Sequence, residues 1–298
     1  MDDVGMRSGD AARASFVERV RAHYHENGRD LPWRRTRDPY AILVSEVMLQ
    51  QTQVSRVVPK YEAFLAAFPT PHALAIAPLD EVLRVWSGLG YNRRALNLRR
   101  AAEAVVVEHG GHVPDTLEGL TSLPGIGHAT AAQVLAFAFD IGVPFIETNI
   151  RSVYLHEFFG DAGDVPDAAI LPFVEATMPA EGAREWFWAL MDYGTHLKAT
   201  LPNPSRRSKH HVRQGRFEGS NRQLRGRLLV ALGQAAAGDA GWPEPGSRTR
   251  SGLGLTTDQL AEEANDDLDL LADVASHEPT DLLEATDDAP IIRLVNSM

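Results

Sequence analysis

Helical periodicity is the feature that most constrains the fold of this 298-residue chain. Between about residues 14 and 200, apolar residues recur at the three- and four-residue spacing of amphipathic helices, and Gly or Pro turns separate the runs. No stretch alternates apolar and polar residues for long enough to require a sheet. The pattern predicts an all-α domain with helices over residues 15–27, 40–68, 78–87, 93–109, 128–139, 149–158, 167–178 and 184–197.

The net charge of −11 conceals an uneven distribution along the chain. Residues 255–298 hold 12 acidic residues and one basic residue, whereas residues 1–254 hold 28 of each sign. Nine Lys and Arg residues fall between Lys198 and Arg227, where the single acid is Glu218. A neutral body with a basic segment is compatible with a nucleic-acid partner, although the average charge argues against one.

Cysteine is absent from the chain, which excludes disulfides, cysteine-ligated zinc and thiolate-ligated iron–sulfur clusters. The N-terminal segment MDDVGMRSGD is acidic and lacks the apolar stretch of a secretion signal. No apolar run approaches the roughly 18 residues of a membrane span. We therefore expect a cytoplasmic protein with no membrane partner.

The composition predicts four regions along the chain. Residues 1–13 are expected to form a flexible N-terminus, and residues 14–200 form the helical domain. Residues 201–221 are a basic strap that contains Pro and Ser, and residues 222–298 are an acidic C-terminal extension. Two interpretations of the extension remain open, a small winged-helix-like module and a partly disordered tail.

The segment SEVMLQQTQV, residues 45–54, puts one acid among glutamines and apolar residues. At helical spacing Glu46, Gln50 and Gln53 share a face, where a solvated helix normally carries Lys and Glu pairs. The pattern is compatible with an ordinary half-exposed helix and with a surface that contacts something other than water.

The segment LPGIGHATA contains two glycines, Gly125 and Gly127, that permit a tight turn before a helix. The N–H groups of such a turn, with the positive end of the helix behind them, bind phosphate without a charged side chain. About twenty residues later, a Gly/Pro loop delivers Glu147 to the start of another helix. The spacing predicts a phosphate-binding turn and a carboxylate in the same domain.

Residues from about 30 to 197 resemble the helix-hairpin-helix DNA glycosylase superfamily, and most closely the MutY-type adenine DNA glycosylases. Six segments carry the resemblance in the family's order: LPWR, PYAILVSEVMLQQTQVSRVVPKYEAF, APLDEVLRVWSGLGYNRRALNL, LPGIGHATA, ETNIRSV and WALMDYG. The resemblance implies a two-lobed all-α helix-hairpin-helix fold with a small C-terminal extension. It also implies a monomer, associated with the nucleoid, whose partner is double-stranded DNA with a mispaired or damaged base.

The resemblance also assigns roles to individual residues. Glu46 is similar to the catalytic acid, Glu147 to the second carboxylate and Asn149 to the residue beside it. Gln51 is similar to the residue that wedges into the base stack, and Tyr91 to the aromatic that intercalates there. The other DNA contacts that we predict are Arg34, the hairpin residues Gly125, Gly127, His128 and Ala129, and the strap residues Arg206, Arg207 and Lys209.

The chemistry of base removal requires two carboxylates in different environments. A base must leave the duplex before it can be attacked, and adenine leaves readily only after a ring nitrogen is protonated. That step requires an acid that a dry site keeps protonated near neutral pH. A second, ionised carboxylate stabilises or traps the sugar cation. The sequence offers Glu46 for the first role and Glu147 for the second.

Several positions depart from the family pattern. Glu147 stands where the family usually has aspartate, and its extra methylene moves the carboxylate by about 1.5 Å. Ala129 stands where bifunctional relatives place a Schiff-base lysine, which predicts a monofunctional glycosylase that does not cut the strand. The positions of the family's four cluster-binding cysteines hold Lys198, Ser205, Ser208 and Gln214, so we expect no iron–sulfur cluster and no other cofactor. An alkali cation held by hairpin carbonyls fits the family but leaves no mark in the sequence.

The function expected from these residues is hydrolysis of the N-glycosidic bond of adenine mispaired with guanine or 8-oxoguanine. Two alternatives remain open, a glycosylase of the same fold for uracil or thymine opposite guanine, and a non-catalytic mismatch-binding protein. The family's C-terminal domain that recognises 8-oxoguanine is not recognisable in residues 220–298. Selectivity for the opposite base is therefore open.

Overall fold

The structure of the chain is a computed structural model that describes residues 9–209. The α-helices in this part are α1 (Asp10–Asn27), α2 (Pro39–Leu49), α3 (Val54–Ala67), α4 (Pro71–Ile76), α5 (Leu79–Trp86), α6 (Arg93–Glu108), α7 (Leu117–Ser122), α8 (His128–Val134), α9 (Thr148–Phe158), α10 (Asp167–Thr177) and α11 (Ala183–Thr200). Short 3₁₀ helices cover Pro32–Arg34 and Pro204–Arg207, and α8 continues as a π-helix over Leu135–Phe139. Within residues 9–209 there is no β-strand, and an isolated bridge pairs Val165 with Ser208. The predicted all-α class is confirmed.

The helix predicted over residues 40–68 is wrong in one respect, because two helices cover that stretch. Helix α2 ends at Leu49 and α3 begins at Val54. Gln51 lies between them with a left-handed backbone, φ 54°. Gln53 is the residue that precedes α3, so it does not share a helix face with Glu46. The short helices α4 and α7 were not predicted, since each has only six residues and shows little periodicity.

Some predictions fall outside the described residues. These are the acidic extension at 222–298, the strap beyond residue 209 including Gln214, and most of the N-terminal region. Between residues 9 and 209, no helix combines the length and the apolar character that crossing a membrane requires.

The chain divides into two compact units, described separately below. In the described part, unit 1 comprises residues 9–50 and 112–209, and unit 2 comprises residues 51–111. Unit 2 contains α3 to α6, with α4 and α5 packed on α6 and α3 packed on α5. Unit 1 contains the other helices, with α2 packed on α8 and the π-helix, and α11 packed on α9 and α1.

Helix α2 is the most deeply buried helix segment of unit 1. Asp38 caps its first turn by accepting a hydrogen bond from the Tyr40 backbone N–H at 3.0 Å. Pro39 occupies the first helical position, where a backbone N–H would have no intrahelical acceptor, so its missing N–H costs no hydrogen bond. All residues from 40 to 48 are buried. A helix that is apolar on every side is expected in a core rather than on a surface, which explains why this segment has no charged face.

Helices α9 and α11 approach each other closely at Gly194. A Cβ atom placed on Gly194 would lie 2.7 Å from the backbone C atom of Asn149 and 2.9 Å from its Cα atom. One residue further along α11, the Thr195 hydroxyl lies 3.4 Å from the Asn149 Oδ1 atom, to which it donates. Any side chain at Gly194 would therefore clash with the backbone of α9. The close contact at Gly194 fixes the position of the first turn of that helix.

Candidate active site

Glu46 is a buried acid in the middle of α2. Its exposed fraction is 5%, and its neighbours on α2 are apolar or small. The pKa of Glu46 is raised to about 8, chiefly by burial and secondly by the charge of Glu147, while the positive charge of Arg34 opposes both effects. Glu46 is therefore protonated at neutral pH, as a general acid must be.

Glu147 is the residue that caps the N-terminus of α9. Its Oε1 atom accepts hydrogen bonds from the backbone N–H groups of Asn149 and Ile150, each at 2.7 Å. Its Oε2 atom accepts a third hydrogen bond from the Asn149 side-chain amide at 3.1 Å. Three N–H donors and the positive end of the helix stabilise a negative charge on this carboxylate.

The capping geometry also shows how the longer side chain is accommodated. Aspartate is a preferred helix cap and glutamate is not, because glutamate has one more methylene between the backbone and its oxygen atoms. In this chain the Glu147 backbone is extended, with φ −117° and ψ 176°, and the carboxylate still reaches the first amides of α9. The substitution therefore preserves the cap, and it leaves the carboxylate near enough to affect the pKa of Glu46.

Arg34 faces the interior of unit 1. Two of its guanidinium nitrogens donate to the two oxygens of Asp192, each at 2.8 Å, and its side chain is 6% exposed. The same carboxylate accepts from the backbone N–H and the Nε atom of Arg29. Although burial alone would raise the pKa of Asp192, the hydrogen bonds and charges of the two arginines lower it. Arg34 acts here as the buried cation of an ion pair, and its contact with DNA stays a prediction.

Trp188 of α11 lies between two guanidinium groups. The Cζ atom of Arg34 lies 5.3 Å from the ring centroid, and that of Arg184 lies 5.6 Å from it. Phe137 of the π-helix stacks on the same indole with ring centroids 5.6 Å apart. Because Trp188 is 8% exposed, these contacts hold it as part of the packing around Arg34.

The hairpin between α7 and α8 is anchored by two buried side chains and exposes its turn. Leu123 and Ile126 are buried, whereas Gly125, Gly127 and His128 are exposed. Gly125 adopts a left-handed backbone, φ 75°, and a Cβ atom on Gly127 would meet nothing within 4 Å. The turn is therefore open to solvent, and the first amides of α8 have no intrahelical acceptor.

A hydrogen bond ties this hairpin to the helix that carries Glu46. The Gln50 side-chain amide, just beyond the end of α2, donates to the Thr130 hydroxyl of α8 at 3.1 Å. The glutamine after α2 thus links the hairpin to the helix that carries Glu46. Ala129, the position of the Schiff-base lysine in bifunctional relatives, lies in the first turn of α8 and offers no amine.

The strap after α11 is held by hydrogen bonds where the family would have cluster ligands. Ser205 and Ser208 are buried, at 4% and 6% exposed. The Ser205 hydroxyl donates to the Asn203 Oδ1 atom at 2.7 Å, and Val165 pairs with the strap through hydrogen bonds to the Arg207 carbonyl and from the Lys209 N–H, both at 3.1 Å. Backbone pairing with Val165 therefore fastens this segment to the rest of unit 1, and the Ser205 hydroxyl bonds within the strap.

The basic residues of the strap are placed differently from one another. Arg207 donates to the Leu155 carbonyl of α9 at 3.0 Å, while Arg206 and Lys209 are exposed. Lys198, at the first cluster position, is half-buried. Burial lowers its pKa, the charge of Glu147 acts against that effect, and the charge of Arg29 adds to it. Lys198 is therefore an amine of unit 1 within electrostatic range of the second carboxylate.

Gln51 and Tyr91 belong to unit 2 and share an uncommon backbone conformation. Gln51 has φ 54° and Tyr91 has φ 51°, both in the left-handed region that residues other than glycine seldom adopt. Gln51 is exposed, and Tyr91 is 38% exposed although it is a large aromatic residue. Each side chain is thus presented on a strained turn at the surface of unit 2, and their roles in DNA remain predictions.

Comparison with known families decides what kind of protein this is. The family model described as HhH-GPD superfamily base excision DNA repair protein matches residues 44–202. The chain belongs to this family. The match runs from within α2 to the end of α11, and the superfamily predicted from the sequence segments is confirmed.

Relatives of this family from several organisms resemble the chain, and the mycobacterial ones do so over most of its length. The adenine DNA glycosylase of Mycolicibacterium smegmatis is 37% identical over 267 residues, which cover 82% of this chain and 91% of that protein. The adenine DNA glycosylase of Mycobacterium tuberculosis is 38% identical over 71% of this chain and 76% of that protein. The human adenine DNA glycosylase is 43% identical over 44% of this chain and 26% of that protein.

Solved structures of the family share the fold. A thermostable thymine-DNA glycosylase superposes with a TM-score of 0.58 and 26% identity, covering 67% of this chain and 91% of that one. Endonuclease III in a non-covalent DNA complex superposes with a TM-score of 0.52 and 16% identity, covering 75% and 99% of the two chains. At that identity, the second likeness shows the HhH-GPD fold alone.

Several residues of this HhH-GPD site were not singled out from the sequence. Asp192 and Thr130 were missed because their partners, Arg34 and Gln50, lie 158 and 80 residues away. Gly194 lies in the quoted MDYG segment, but the segment does not reveal which backbone it touches. In residues 9–209, no group of three or more His, Cys, Asp or Glu side chains could hold a metal ion.

Proposed function

We propose that this protein is a monofunctional base-excision DNA glycosylase that hydrolyses the N-glycosidic bond of adenine opposite guanine or 8-oxoguanine. The observation that carries the proposal is the pair of carboxylates in unit 1, Glu46 protonated by burial and Glu147 bonded by three N–H groups. Enzymes that protonate a leaving group and stabilise a cation use two such carboxylates in opposed environments. The names of the relatives from mycobacteria and human support adenine as the base.

In the proposed reaction Glu46 donates its proton to a ring nitrogen of the flipped adenine. The bond between the base and the sugar C1′ breaks, and its electron pair leaves with the base. Glu147 stabilises the sugar cation that forms, or traps it briefly, while Asn149 fixes the orientation of its carboxylate. Water adds to C1′ and gives its proton to the Glu46 carboxylate, which restores the acid and leaves an abasic site.

The remaining predicted contacts hold double-stranded DNA around this chemistry. Amides of the hairpin turn, from Gly125 to Ala129, bind a phosphate, and the exposed cations Arg206 and Lys209 add charge along the backbone. Gln51 and Tyr91 enter the base stack of the distorted duplex. An alkali cation at the hairpin carbonyls and a monomeric enzyme complete the proposal.

The absence of a hairpin lysine leads us to expect that the product is an abasic site in an uncut strand. In bifunctional enzymes an amine attacks C1′ and forms a Schiff base that promotes strand cleavage. Ala129 cannot perform that step. Alkaline treatment should therefore be required to reveal the product as a broken strand.

A second candidate is removal of thymine or uracil opposite guanine. The observation that favours it is the likeness to a thermostable thymine-DNA glycosylase at 26% identity. The same two carboxylates serve either substrate, because protonation of the leaving base and stabilisation of the sugar are common to both reactions. Adenine is favoured by the higher identity and coverage of the adenine-specific relatives.

The deciding experiment is single-turnover base release from four duplexes with adenine opposite 8-oxoguanine, adenine opposite guanine, thymine opposite guanine and uracil opposite guanine. Samples are split and analysed with and without alkali, and Glu46→Gln serves as the inactive control. We expect adenine release that depends on Glu46 and strand breaks only after alkali. Release of a pyrimidine instead would select the second candidate, and binding without any release would select a non-catalytic protein.

A further inference from the structure

The turns that present Gln51 and Tyr91 in unit 2 store backbone strain. A left-handed backbone is unfavourable for a residue other than glycine, so the surroundings must hold each turn in place. Gly88 and Gly90 also have positive φ, 91° and 73°. The chain before α6 therefore turns sharply three times within four residues, and the other strained turn lies between α2 and α3.

One side chain of α6 bridges these two turns. The Nη2 atom of Arg94 donates to the Thr52 hydroxyl at 3.0 Å and to the Gly90 carbonyl at 3.0 Å, and it lies 3.4 Å from the Leu89 carbonyl. The Thr52 hydroxyl in turn lies 3.4 Å from the Leu89 carbonyl. The residue after Gln51 and the residue before Tyr91 are thus joined through a single guanidinium group.

Aromatic rings pack against the same guanidinium. Its Cζ atom lies 5.3 Å from the Trp86 centroid and 5.4 Å from the Tyr91 centroid. Trp86 is fully buried, and its indole N–H donates to the Gly90 carbonyl at 3.1 Å. Arg94 therefore contacts Trp86, which is fixed in the core of unit 2, and Tyr91, the exposed aromatic residue that is proposed to enter the base stack. Burial lowers the pKa of Arg94 to about 10, which leaves it charged at neutral pH.

We propose that Arg94 is a positioning residue that locks the Gln51 turn and the Tyr91 turn together, so that both side chains enter the base stack in one prearranged geometry. The inference rests on the proposed function and adds to it the device that orders the two DNA-distorting residues. Prearranged side chains avoid the cost of being ordered on binding, so their effect appears as affinity for the distorted duplex. Only arginine fits the role, because it combines several N–H donors with a flat face that stacks on aromatic rings.

The test uses full-length protein with the Glu46→Gln substitution, so that DNA distortion is observed without base removal. The probe is a duplex with 2-aminopurine in place of the mispaired adenine opposite 8-oxoguanine, and its fluorescence rises when the base leaves the stack. Arg94→Met removes the bridge and the charge, and Arg94→Lys keeps the charge but not the bridge. The matched control is Arg93→Met, which removes an exposed arginine from the adjacent position.

We expect Arg94→Met and Arg94→Lys each to weaken binding to the mispaired duplex about tenfold or more and to lower the fluorescence rise. Binding to a fully matched duplex depends on charge near the phosphates, so it should stay unchanged in Arg94→Lys and should weaken slightly and equally in Arg94→Met and Arg93→Met. When Glu46 is intact, Arg94→Met and Arg94→Lys should each slow base release at saturating enzyme by about 10- to 100-fold, because a displaced positioning group misaligns the substrate.

Other outcomes would overturn the inference. If Arg94→Lys behaved as the parent protein, charge alone would suffice and the bridge would have no role. Should Arg94→Met fail to fold by thermal melting, Thr52→Val decides, since it removes the hydroxyl end of the bridge and leaves the arginine stacked. Unchanged mispair binding in Thr52→Val would then reject the inference. The proposed function is judged separately by adenine release from the unmodified protein, which the fluorescence readout does not require.

Discussion

Glu46 and Glu147 have the same side chain but opposite surroundings. Glu46 lies inside α2, where residues 40–48 are all buried, and burial raises its pKa to about 8. Glu147 lies at the start of α9, half-exposed, where the amides of a helix terminus meet its oxygens. The position within a helix thus decides which carboxylate is bonded by backbone amides, since an interior turn offers no free amide and a first turn offers several.

The two environments also reinforce each other. The charge on Glu147 raises the pKa of Glu46, so ionisation of the second carboxylate helps to keep the first one protonated. Arg34 limits this effect, but its guanidinium is already paired with Asp192. The buried cation of unit 1 is therefore neutralised by Asp192, and Glu46 and Glu147 are available for the proposed reaction.

The largest expected effect comes from removing the proton donor. Glu46→Gln keeps the size of the side chain but has no acidic proton, so we expect adenine release to fall by about 10³-fold, within the range for loss of a general acid. The measurement is the single-turnover rate with adenine opposite 8-oxoguanine. Glu62→Gln, the same change at an exposed position of α3, serves as the control and should keep the full rate.

Retention of more than a tenth of the rate in Glu46→Gln would show that another group protonates the base. Affinity for the duplex should stay within about threefold, because the substitution leaves the size of the side chain unchanged. If another group protonates the base, the difference in environment between Glu46 and Glu147 has no role in the reaction.

The second prediction concerns the capping carboxylate. Glu147→Gln keeps an oxygen for the amides of Asn149 and Ile150 but loses the negative charge, so we expect base release to slow by about 10²-fold. Glu147→Asp keeps the charge and is a better cap, and we expect its rate to stay within about tenfold of the parent rate. Single-turnover rates and melting temperatures of both variants distinguish charge from capping.

The opposite order of rates would change the interpretation of this residue. If Glu147→Gln were as active as the parent protein while Glu147→Asp were impaired, Glu147 would serve as a cap whose length matters, and the sugar cation would be stabilised by another group.

The third prediction uses the close approach of α11 to the first turn of α9. Gly194→Ala introduces a Cβ atom against the backbone of Asn149, so the helices must separate and the carboxylate of Glu147 must move. A shift near 1 Å is expected to slow base release by about 10²-fold. Gly163→Ala is the matched control, because a Cβ atom there meets nothing within 4 Å. Equal rates and melting temperatures for the two variants would show that the approach has no functional consequence.

The sequence predicts what depends on local periodicity and on recognisable segments. Apolar spacing predicts the long helices, and the segment ETNIRSV places Glu147 at a helix start, where the structure has it. The break after Leu49 was not predicted, because glutamine gives no local sign of the left-handed backbone at Gln51. That conformation is imposed by tertiary contacts of the kind that Arg94 makes with Thr52.

Contacts between distant residues limit the prediction of the site in the same way. Arg34 looks like a surface cation in the sequence, and only the fold brings Asp192 to its guanidinium. The high pKa of Glu46 likewise depends on the burial of α2, on which α8 and the π-helix pack. Residue types could therefore be assigned from the sequence, whereas their protonation and pairing required the packed structure.

The fourth prediction concerns the pH dependence of base release. The active form of Glu46 is protonated, so the rate should fall as pH rises through about 8, the pKa of this carboxyl. Between pH 7 and pH 9 the protonated fraction drops about tenfold, and the rate at saturating enzyme should drop with it. Glu46→Gln should lack this falling limb. A rate that is constant up to pH 9 would mean that Glu46 is not the acid or that its pKa is higher in the DNA complex.

The smallest effect is expected on the free energy of unfolding. Its pH dependence reports the burial of Glu46 without requiring the base-release reaction. The pKa of Glu46 is higher in the folded protein than in the unfolded chain, so its contribution to stability is complete below the unfolded pKa and is lost as pH rises through about 8. From pH 7 to pH 9 this loss amounts to about 1 kcal/mol of unfolding free energy. Urea unfolding of the parent protein and of Glu46→Gln at both pH values isolates the contribution, because all other groups are shared. If the two proteins lost the same stability over this range, Glu46 would already be ionised at pH 7, and the buried carboxylate would not differ from the one at the helix terminus.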